Sequence, residues 1–447
     1  MSNIQKDDKK VTRAWTFYDW ANSSFPLVIN TAIFPTFYEA QTTDRNDAGV
    51  VLNDTVNVMG IQLKNSEFYS YIVSLSLIIV CITAPLLSGI ADYSGIKKKF
   101  LRFFCAMGSF SCVGLYFFDK ENIFFSMLPF LIATVGYWGS IVFYNAYLPE
   151  IASVENQDKV SAKGFALGYF GSSLLLILNL IMITKYKAFG FETKDDAVRL
   201  AFILVGLWWF GFAQITLRKL PAEKTGHARL EGNLFSKGFK QLSKVWNELK
   251  YITRTKRFLA SYFCYNMGVQ TVMYMAVLFA AKEIHWPDEK TKSTSLIISI
   301  LLIQFLAMAG SFLFSFVSSK IGNIKALGVA IFCWSLVCIE VFLFVKEPMH
   351  FYFTAVWVGL VMGGTQSLSR STYSKLLPPT EDHASYFSFF DVLEKAGIVI
   401  GTFSFGFIEG LTGGMRNSVL VLIVFFVIGF LVMLTIPKSK AIEATDE

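Results

Sequence analysis

The chain has 447 residues, of which 54% are hydrophobic and only 16% are charged. A soluble domain usually carries about 25% charged residues, so most of this surface must face something other than water. The net charge of +7 would suit a nucleic-acid partner, but the basic residues flank apolar stretches and form no separate basic module. This pattern argues against nucleic acid and indicates a multi-pass membrane protein.

Apolar stretches follow one another along the whole chain, and a helix of ~20 apolar residues is long enough to cross a bilayer. They predict an all-α polytopic membrane protein with twelve transmembrane helices in two six-helix halves. The expected spans lie at about 15–39, 67–91, 99–118, 123–147, 162–184, 199–217, 258–281, 293–317, 325–345, 350–374, 386–410 and 416–436. The expected units are an N-terminal half at 1–218, a central loop at 219–257 and a C-terminal half at 258–447.

The orientation of the spans is predicted from lysine and arginine, which favour the cytoplasmic side. The central loop is the most basic link, and the N-terminus is more basic than the link after the first span. The residues that set this contrast are Lys6, Lys9, Lys10 and Arg13 before the span, and Arg45 and Lys64 after it. We expect both termini in the cytoplasm, a location in the cell membrane, and no cleavable signal peptide.

The first span carries polar side chains on one face, namely Asp19, Asn22, Ser23 and Asn30, with Pro26 as an expected kink. An ionisable group inside a span costs several kcal/mol unless it is paired or reaches water, so it is a functional candidate. Asp19 could take up a proton during transport or form a gate. The alternative is structural, because Asp19 lies close to the inner end and could cap a helix or pair with a basic residue.

The central loop repeats large apolar residues at helical spacing, with lysines between them. The apolar set is Phe235, Phe239, Leu242, Trp246 and Leu249, and the lysines are Lys237, Lys240, Lys244 and Lys250. The pattern predicts an amphipathic helix on the anionic lipids of the inner leaflet. The alternative is a plain tether with incidental periodicity.

Span ten carries a single helical stripe that consists of Gly359, Gly363, Gln366, Arg370 and Tyr373. Glycines allow another helix to approach closely. A guanidinium forks onto carboxylates or phosphates. Arg370 therefore either binds an anionic group of a substrate or locks the cytoplasmic gate onto a carboxylate.

Span eleven carries Asp391, Glu394 and Lys395, and the first and last of these are four residues apart. Such a pair can neutralise itself, which is the structural alternative. Lys395 otherwise reaches towards the inner face, or meets Asp19, Glu394 or a substrate carboxylate. Asp391, Glu394 and Lys395 are the further candidates for proton coupling or gating.

Uncharged polar side chains complete the predicted substrate path, which comprises Asn22, Asn30, Asn145, Asn266, Gln270, Gln366 and Arg370. Amides inside helices also hydrogen-bond neighbouring helices without a further role. Aromatic residues near span ends are typical membrane-interface anchors. We expect that role for Trp15, Tyr38 and Trp286.

Two sets of local motifs carry a family resemblance. The link after span two contains Gly89, Asp92, Gly95, Lys97 and Lys98, and it resembles the glycine–aspartate–lysine loop of the major facilitator superfamily. The matching link of the second half has Ser319 at the acidic position. Further stretches resemble the vacuole-effluxer-like (autophagy-related) family, namely YDWANS at 18–23, NAYLPE at 145–150, GYFG at 168–171, GVQT at 268–271, GGTQSLSRS at 363–371 and Asp391-Val392 with Lys395.

That resemblance implies the twelve-helix facilitator fold and, from the fungal relatives, efflux of amino acids. The sequence has no phosphate-binding G-x-x-x-x-G-K-[ST] loop and no Cys/His cluster, so we expect no enzyme activity, no cofactor and no metal. The predicted function is secondary active transport of a small solute, with proton coupling, by a monomer. The alternatives are a lipid flippase or scramblase, or a non-transporting membrane receptor.

Overall fold

The computed structural model describes residues 5–46, 51–221 and 234–437, and it confirms the all-α prediction. Each expected span coincides with helical structure in these ranges. Nine of the described helices are long and apolar enough to cross a membrane. The other three crossings are the first, which is divided into segments, and two long helices that carry the buried charges of spans ten and eleven.

The first crossing consists of α1 (Lys9–Asn22), a π-helix (Phe25–Ile33) and α2 (Phe34–Thr42). Asp8 caps the start of α1, because its Oδ1 accepts hydrogen bonds from the amides of Lys10 and Val11. Pro26 has no amide hydrogen, so it cannot continue the α-helical hydrogen bonding. The π-helix therefore takes the place of the expected simple kink, and its wider turn faces the centre of the protein.

The rest of the first half contains six further α-helices, one of them short, that pack around this crossing. They are α3 (Asn65–Ser94), α4 (Lys97–Gly114), α5 (Ile123–Asn145), the short α6 (Leu148–Ile151), α7 (Gln157–Thr184) and α8 (Lys194–Lys219). Single 3₁₀ turns lie at Leu115–Phe117 and Tyr186–Phe189. In the link before α3, two short antiparallel pairs join β1 (Asp44–Arg45) to β2 (Val51–Asn53) and β3 (Thr55–Val58) to β4 (Ile61–Lys64).

A linking helix, α9 (Leu234–Tyr251), leads into the second half. That half contains α10 (Thr253–Glu283), α11 (Glu289–Ile321), α12 (Asn323–Leu343), α13 (Pro348–Leu376), α14 (His383–Thr412) and α15 (Met415–Leu434). We call the side of the bundle that holds α9 and the start of α1 the amino-terminal face. It is the face that the lysine and arginine pattern predicts to be cytoplasmic.

The two halves meet along two lines. On one side α7 packs against α11 and α13, and on the other α14 packs against α3 and α5. Stacked aromatic rings fill the interior of each half, such as Phe34 on Phe130 and Trp334 on Phe426. These contacts leave a space between the halves, in the middle of the bundle.

Glycines allow α11 and α13 to approach within backbone contact. A Cβ atom added to Gly363 would lie 1.9 Å from the carbonyl oxygen of Ala307, and one added to Gly310 would lie 2.0 Å from that of Leu360. Close backbone approach is a common way of packing membrane helices. The predicted glycine stripe of span ten therefore serves packing within the second half.

We predict that Gly363→Ala destabilises the protein by about 1–3 kcal/mol, because the added methyl group overpacks the α11–α13 interface. The apparent melting temperature in detergent should fall by several degrees. Gly406→Ala is the matched control, since Gly406 lies on α14 with open space around its Cβ position. An equal fall in both variants would contradict the role of Gly363.

Candidate functional site

The two halves are joined at the centre by an ion pair between Asp19 of α1 and Arg370 of α13. Arg370 Nη2 lies 3.0 Å from Asp19 Oδ2, and Nη1 lies 3.4 Å from Oδ1. Both side chains are buried, with 5% and 3% of their surface exposed. Each of the two residues thus has the other half's charge as its partner in this conformation.

The remaining hydrogen-bonding groups of the pair are also satisfied. Arg370 Nε donates to Ser161 Oγ at 2.9 Å, Nη2 donates to the Ser161 carbonyl at 2.9 Å, and Nη1 donates to Asn145 Oδ1 at 3.4 Å. The Tyr144 hydroxyl donates to Asp19 Oδ2 at 2.8 Å. A buried ion pair is tolerated only when such additional bonds offset its loss of hydration.

Aromatic rings enclose the Arg370 guanidinium. Its central carbon lies 4.1 Å from the ring centre of Phe165, 4.8 Å from that of Trp15 and 5.5 Å from that of Tyr144. Trp15 is fully buried, and its Nε1 donates to the Tyr144 carbonyl at 3.0 Å. The expectation of a membrane-interface anchor is therefore wrong for Trp15, because its ring packs on a buried cation and on Tyr144.

Gly164 of α7 makes the ion pair possible. A Cβ atom at this position would lie 2.3 Å from Asp19 Oδ2 and 2.9 Å from Arg370 Nη2. Sequence reasoning missed Gly164, Ser161 and Phe165. A small residue that precedes the Gly168–Gly171 motif by one turn was the available signal, but its meaning depends on which helix packs there.

A second group of charges lies on α14. Lys395 is fully buried and hydrogen-bonds Asp391, and its Nζ lies 3.3 Å from Glu394 Oε2. The ammonium also lies 3.7 Å from the ring centre of Trp138. Gln270 Nε2 donates to Glu394 Oε1 at 2.8 Å. Of the predicted partners of Lys395, the structure shows Asp391 and Glu394, while Asp19 pairs with Arg370.

This second group has one more carboxylate than it has cations. Asp391 Oδ2 is buried without a hydrogen-bond partner within the described structure. A low-dielectric interior penalises such an excess charge. The cluster is therefore a place where one proton, or one cationic group, would be bound favourably.

Both charge groups border one central cavity of about 240 Å³ between the halves. Asp19 and Arg370 form its buried floor towards the amino-terminal face, and Glu394 contributes to its wall. Thr31 and Met273 also line the cavity and are exposed, which places its opening towards the opposite face. The predicted path residues that line it are Asn30, Asn145, Asn266, Gln270, Gln366 and Arg370.

Asn22 does not share this location. It is buried on α1 away from the cavity lining, and its Nδ2 has no hydrogen-bond partner within the described residues. Asp19 and Ser23 line the cavity, and Asn22, one residue before Ser23, is turned about 100° away from that residue around the helix. The path contains instead an aromatic set that the amide pattern did not include: Tyr137, Trp138, Phe165, Tyr169, Tyr262, Tyr265 and Tyr274.

The loop motif closes the amino-terminal face. Gly95 ends α3 with a left-handed backbone (φ 66°), and Asp92 accepts hydrogen bonds from the amides of Ala384 and Ser385 at the start of α14. A carboxylate is stabilised at a helix start because the amides there carry partial positive charge. Lys97 pairs with Glu150, which also lies 2.9 Å from His383 Nδ1.

Two other residues of the loop motif, Lys98 and Gly89, contact the central link between the halves at the amino-terminal face. Lys98 Nζ donates to the Leu220 carbonyl at 2.6 Å, and Gly89 lies against Gly238 of α9.

In the second half, the missing acid at Ser319 is replaced from another helix. Asp158 of α7 lies 2.7 Å from Lys375 Nζ and accepts hydrogen bonds from Ser318 and Asn323. In the first half the acidic side chain, Asp92, belongs to the loop itself. In the second half the acidic side chain at the corresponding loop is Asp158, which belongs to α7.

Solved structures of major facilitator proteins share this fold. FucP in the outward conformation superposes with a TM-score of 0.69 at 13% identity, over 97% of this chain and 99% of that one. The proton:xylose symporter XylE bound to 6-bromo-6-deoxy-D-glucose gives 0.68 at 12% identity, over 97% and 96%. These likenesses confirm the predicted major facilitator fold.

Sequence comparison leads to the same group of proteins. The chain is 29% identical to the uncharacterized MFS-type transporter YxiO of Bacillus subtilis over 99% of both chains. It is 25% identical to autophagy-related protein 22 of Saccharomyces cerevisiae, over 85% of this chain and 79% of that protein. The family model described as vacuole effluxer Atg22 like matches residues 7–446. The chain therefore belongs to the vacuole effluxer Atg22-like family of multi-pass membrane transporters.

Proposed function

We propose that the protein moves a small solute through the central cavity by alternating access of its two halves. The observation that carries this proposal is the Asp19–Arg370 pair, which joins the halves and forms the cavity floor. The amino-terminal face can open only when this pair separates. The conformation described here is then the one that accepts or releases solute at the opposite face.

The charges of the cavity suit a zwitterionic solute such as an amino acid. Arg370 can receive a solute carboxylate that displaces Asp19, since its fork matches that group. Glu394 and the excess negative charge behind it can receive an ammonium group. Aromatic rings and amides between them can hold the solute's carbon skeleton. Amino acids are also the substrates that the sequence resemblance implied.

The presence and the size of the cavity favour this proposal over its two alternatives, a lipid flippase and a non-transporting receptor. Its volume of about 240 Å³ lies just below the ~300–1,000 Å³ that is typical of ligand pockets. A small solute fits such a space, whereas a phospholipid handled by a flippase needs a larger one. A non-transporting receptor would have the interface closed by apolar packing, whereas the two halves enclose an open cavity that charged side chains border.

We place the coupling proton on the α14 cluster. Protonation of Asp391 or Glu394 would remove the excess negative charge, and Lys395 would remain paired. Asp19 then acts mainly as the gate residue. For direction we propose efflux from the cytoplasm, with the amino-terminal face cytoplasmic and the protein in the cell membrane, because basic residues concentrate at that face.

The solute class is tested by thermal shift, because a ligand that binds the folded state raises its apparent stability. We expect amino acids to raise the melting temperature, and matched amines or carboxylic acids that lack one charge to raise it far less. Glu394→Gln should abolish the shift. Glu409→Gln on the same helix, where the half-buried Glu409 pairs with the exposed Lys282, should keep it. A shift that survives in Glu394→Gln would remove this residue from the binding site.

The coupling site is tested in proteoliposomes loaded with the solute that the screen identifies. Asp391→Asn should lose accumulation driven by an imposed pH gradient and keep solute exchange between the two sides. Exchange needs only the gate and the binding site, so its retention shows that the variant is folded and active. Gradient-driven accumulation at the wild-type level would show that Asp391 carries no coupling proton.

The gate is tested without a solute, through a cysteine at Ser371. This side chain is fully buried, one turn from Ser367 and Lys375, both of which contact α7. Breaking a buried ion pair costs about 3–5 kcal/mol, so Asp19→Asn should make Ser371→Cys more than ~10-fold faster to alkylate. Arg370→Lys keeps a cation without the fork and should give a smaller increase.

The matched control for the gate is Glu409→Gln, which breaks an exposed ion pair at the opposite face. It should leave the alkylation rate unchanged, because exposed pairs contribute about 0–1 kcal/mol. An unchanged rate in Asp19→Asn as well would mean that the ion pair does not close the amino-terminal face.

A further inference from the structure

The linking helix α9 carries four lysines against one glutamate and presents an aromatic stripe. Phe239, Trp246 and Lys250 are spaced seven and four residues apart, so they lie on one side of the helix. The ring of Phe239 is 67% exposed and that of Trp246 is 51% exposed. Exposed aromatic rings beside lysines are typical of helices that lie in a membrane surface.

The side of α9 next to this stripe, about 100° around the helix, packs on the first half. Val245 and Leu249 are buried there. A Cβ atom at Gly89 of α3 would lie 2.4 Å from the carbonyl oxygen of Gly238, and one at Gly238 would lie 2.8 Å from Ile90 Cγ1. These distances show that α9 and α3 are in backbone contact at the amino-terminal face.

Side chains of α9 also reach the second half. Lys244 Nζ lies 3.1 Å from Asp382 Oδ2, and this hydrogen bond raises the pKa of Lys244. The Tyr386 hydroxyl donates to Glu248 Oε2 at 2.6 Å, and the rings of Trp246 and Phe389 lie 5.5 Å apart. The helix is thus held between α3 of one half and α14 of the other.

The position of α9 at the junction makes its two sets of contacts depend on closure. The helix packs on α3 of one half and on α14 of the other, and only Ile252 separates it from α10. Both sets of contacts therefore exist together only while the amino-terminal face is closed.

We propose that anionic phospholipid headgroups bind along the exposed stripe of α9 and stabilise the closed amino-terminal face. The stripe lies near the end of α3 and the start of α14, where these two expected spans should leave the bilayer. Lysines near a negatively charged leaflet are attracted to it, and the neighbouring rings enter the boundary between headgroups and lipid tails. Lipid that binds the docked helix more tightly than the undocked one shifts the equilibrium towards the closed face.

This inference rests on the alternating-access function proposed above, but its test requires no solute. The protein carries the Ser371→Cys probe, with the partly exposed cysteines Cys81, Cys264 and Cys333 replaced by serine. It is reconstituted in nanodiscs of phosphatidylcholine, with or without phosphatidylglycerol. We expect alkylation to be slower with phosphatidylglycerol, on the order of fivefold.

The variant Lys240→Gln/Lys250→Gln should lose this difference between the two lipids. Its matched control is Lys185→Gln/Lys187→Gln, which removes two exposed lysines beyond the end of α7 at the opposite face. The control should keep the difference. Both variants change exposed side chains, so melting curves should show that each remains folded.

The proposal is overturned by equal alkylation rates in the two lipids, or by a lipid effect that persists in Lys240→Gln/Lys250→Gln. It is also overturned if soluble glycerol 3-phosphate gives the same protection in phosphatidylcholine, since that would show an anion site independent of the bilayer. A lipid effect that is present while Asp19→Asn leaves the probe unchanged would separate the α9 surface from the proposed gate.

Discussion

The buried ion pair between Asp19 and Arg370 is the interaction on which the rest of the structure depends. Each charge lies in a low-dielectric interior and would cost several kcal/mol if it were left alone. The surrounding structure satisfies that demand: Ser161 and Asn145 accept the remaining donors of Arg370, Tyr144 donates to Asp19, and Gly164 leaves the space. Because the two charges belong to different halves, the same bonds that satisfy them also hold the halves together.

The cost of separating Asp19 from Arg370 is the reason that we propose a role for the second charge group, Asp391, Glu394 and Lys395. The pair cannot separate at low cost unless something else meets the two charges, and the cavity that it borders also presents Glu394. The Asp391–Glu394–Lys395 cluster keeps one unpaired negative charge, with an oxygen of Asp391 left without a partner in the described structure. A solute that brings a carboxylate to Arg370 and an ammonium to Glu394 would replace Asp19 at the guanidinium and offset the excess negative charge of the cluster, while Asp19 would keep the hydrogen bond from Tyr144. Binding and opening would then be linked through the same few charges.

Contacts around the amino-terminal face extend the closure beyond the central pair. Asp92 binds the start of α14, Asp158 binds Lys375, and α9 lies across α3 and α14. Each half has a carboxylate at this face, but the two come from different elements. The first half has Asp92 in its own loop, whereas the second half has Ser319 there and uses Asp158 of α7. Closure is therefore spread over several separate contacts, and α9 is the one that we propose also binds the bilayer surface.

The sequence by itself determined the helices, the superfamily and the identity of the buried charges. Apolar length and the penalty on charge in a membrane are local properties, so they mark Asp19, Arg370, Asp391, Glu394 and Lys395 without any structure. The spacing of apolar residues and lysines in α9 is also a local property, so the sequence predicted that helix as well. Only the tertiary structure decided the partners, because Asp19 and Arg370 are 351 residues apart and periodicity holds no information across that distance. It also placed Trp15 on the guanidinium instead of at the membrane interface, and Asn22 away from the cavity, because helix packing sets which face of α1 points inward.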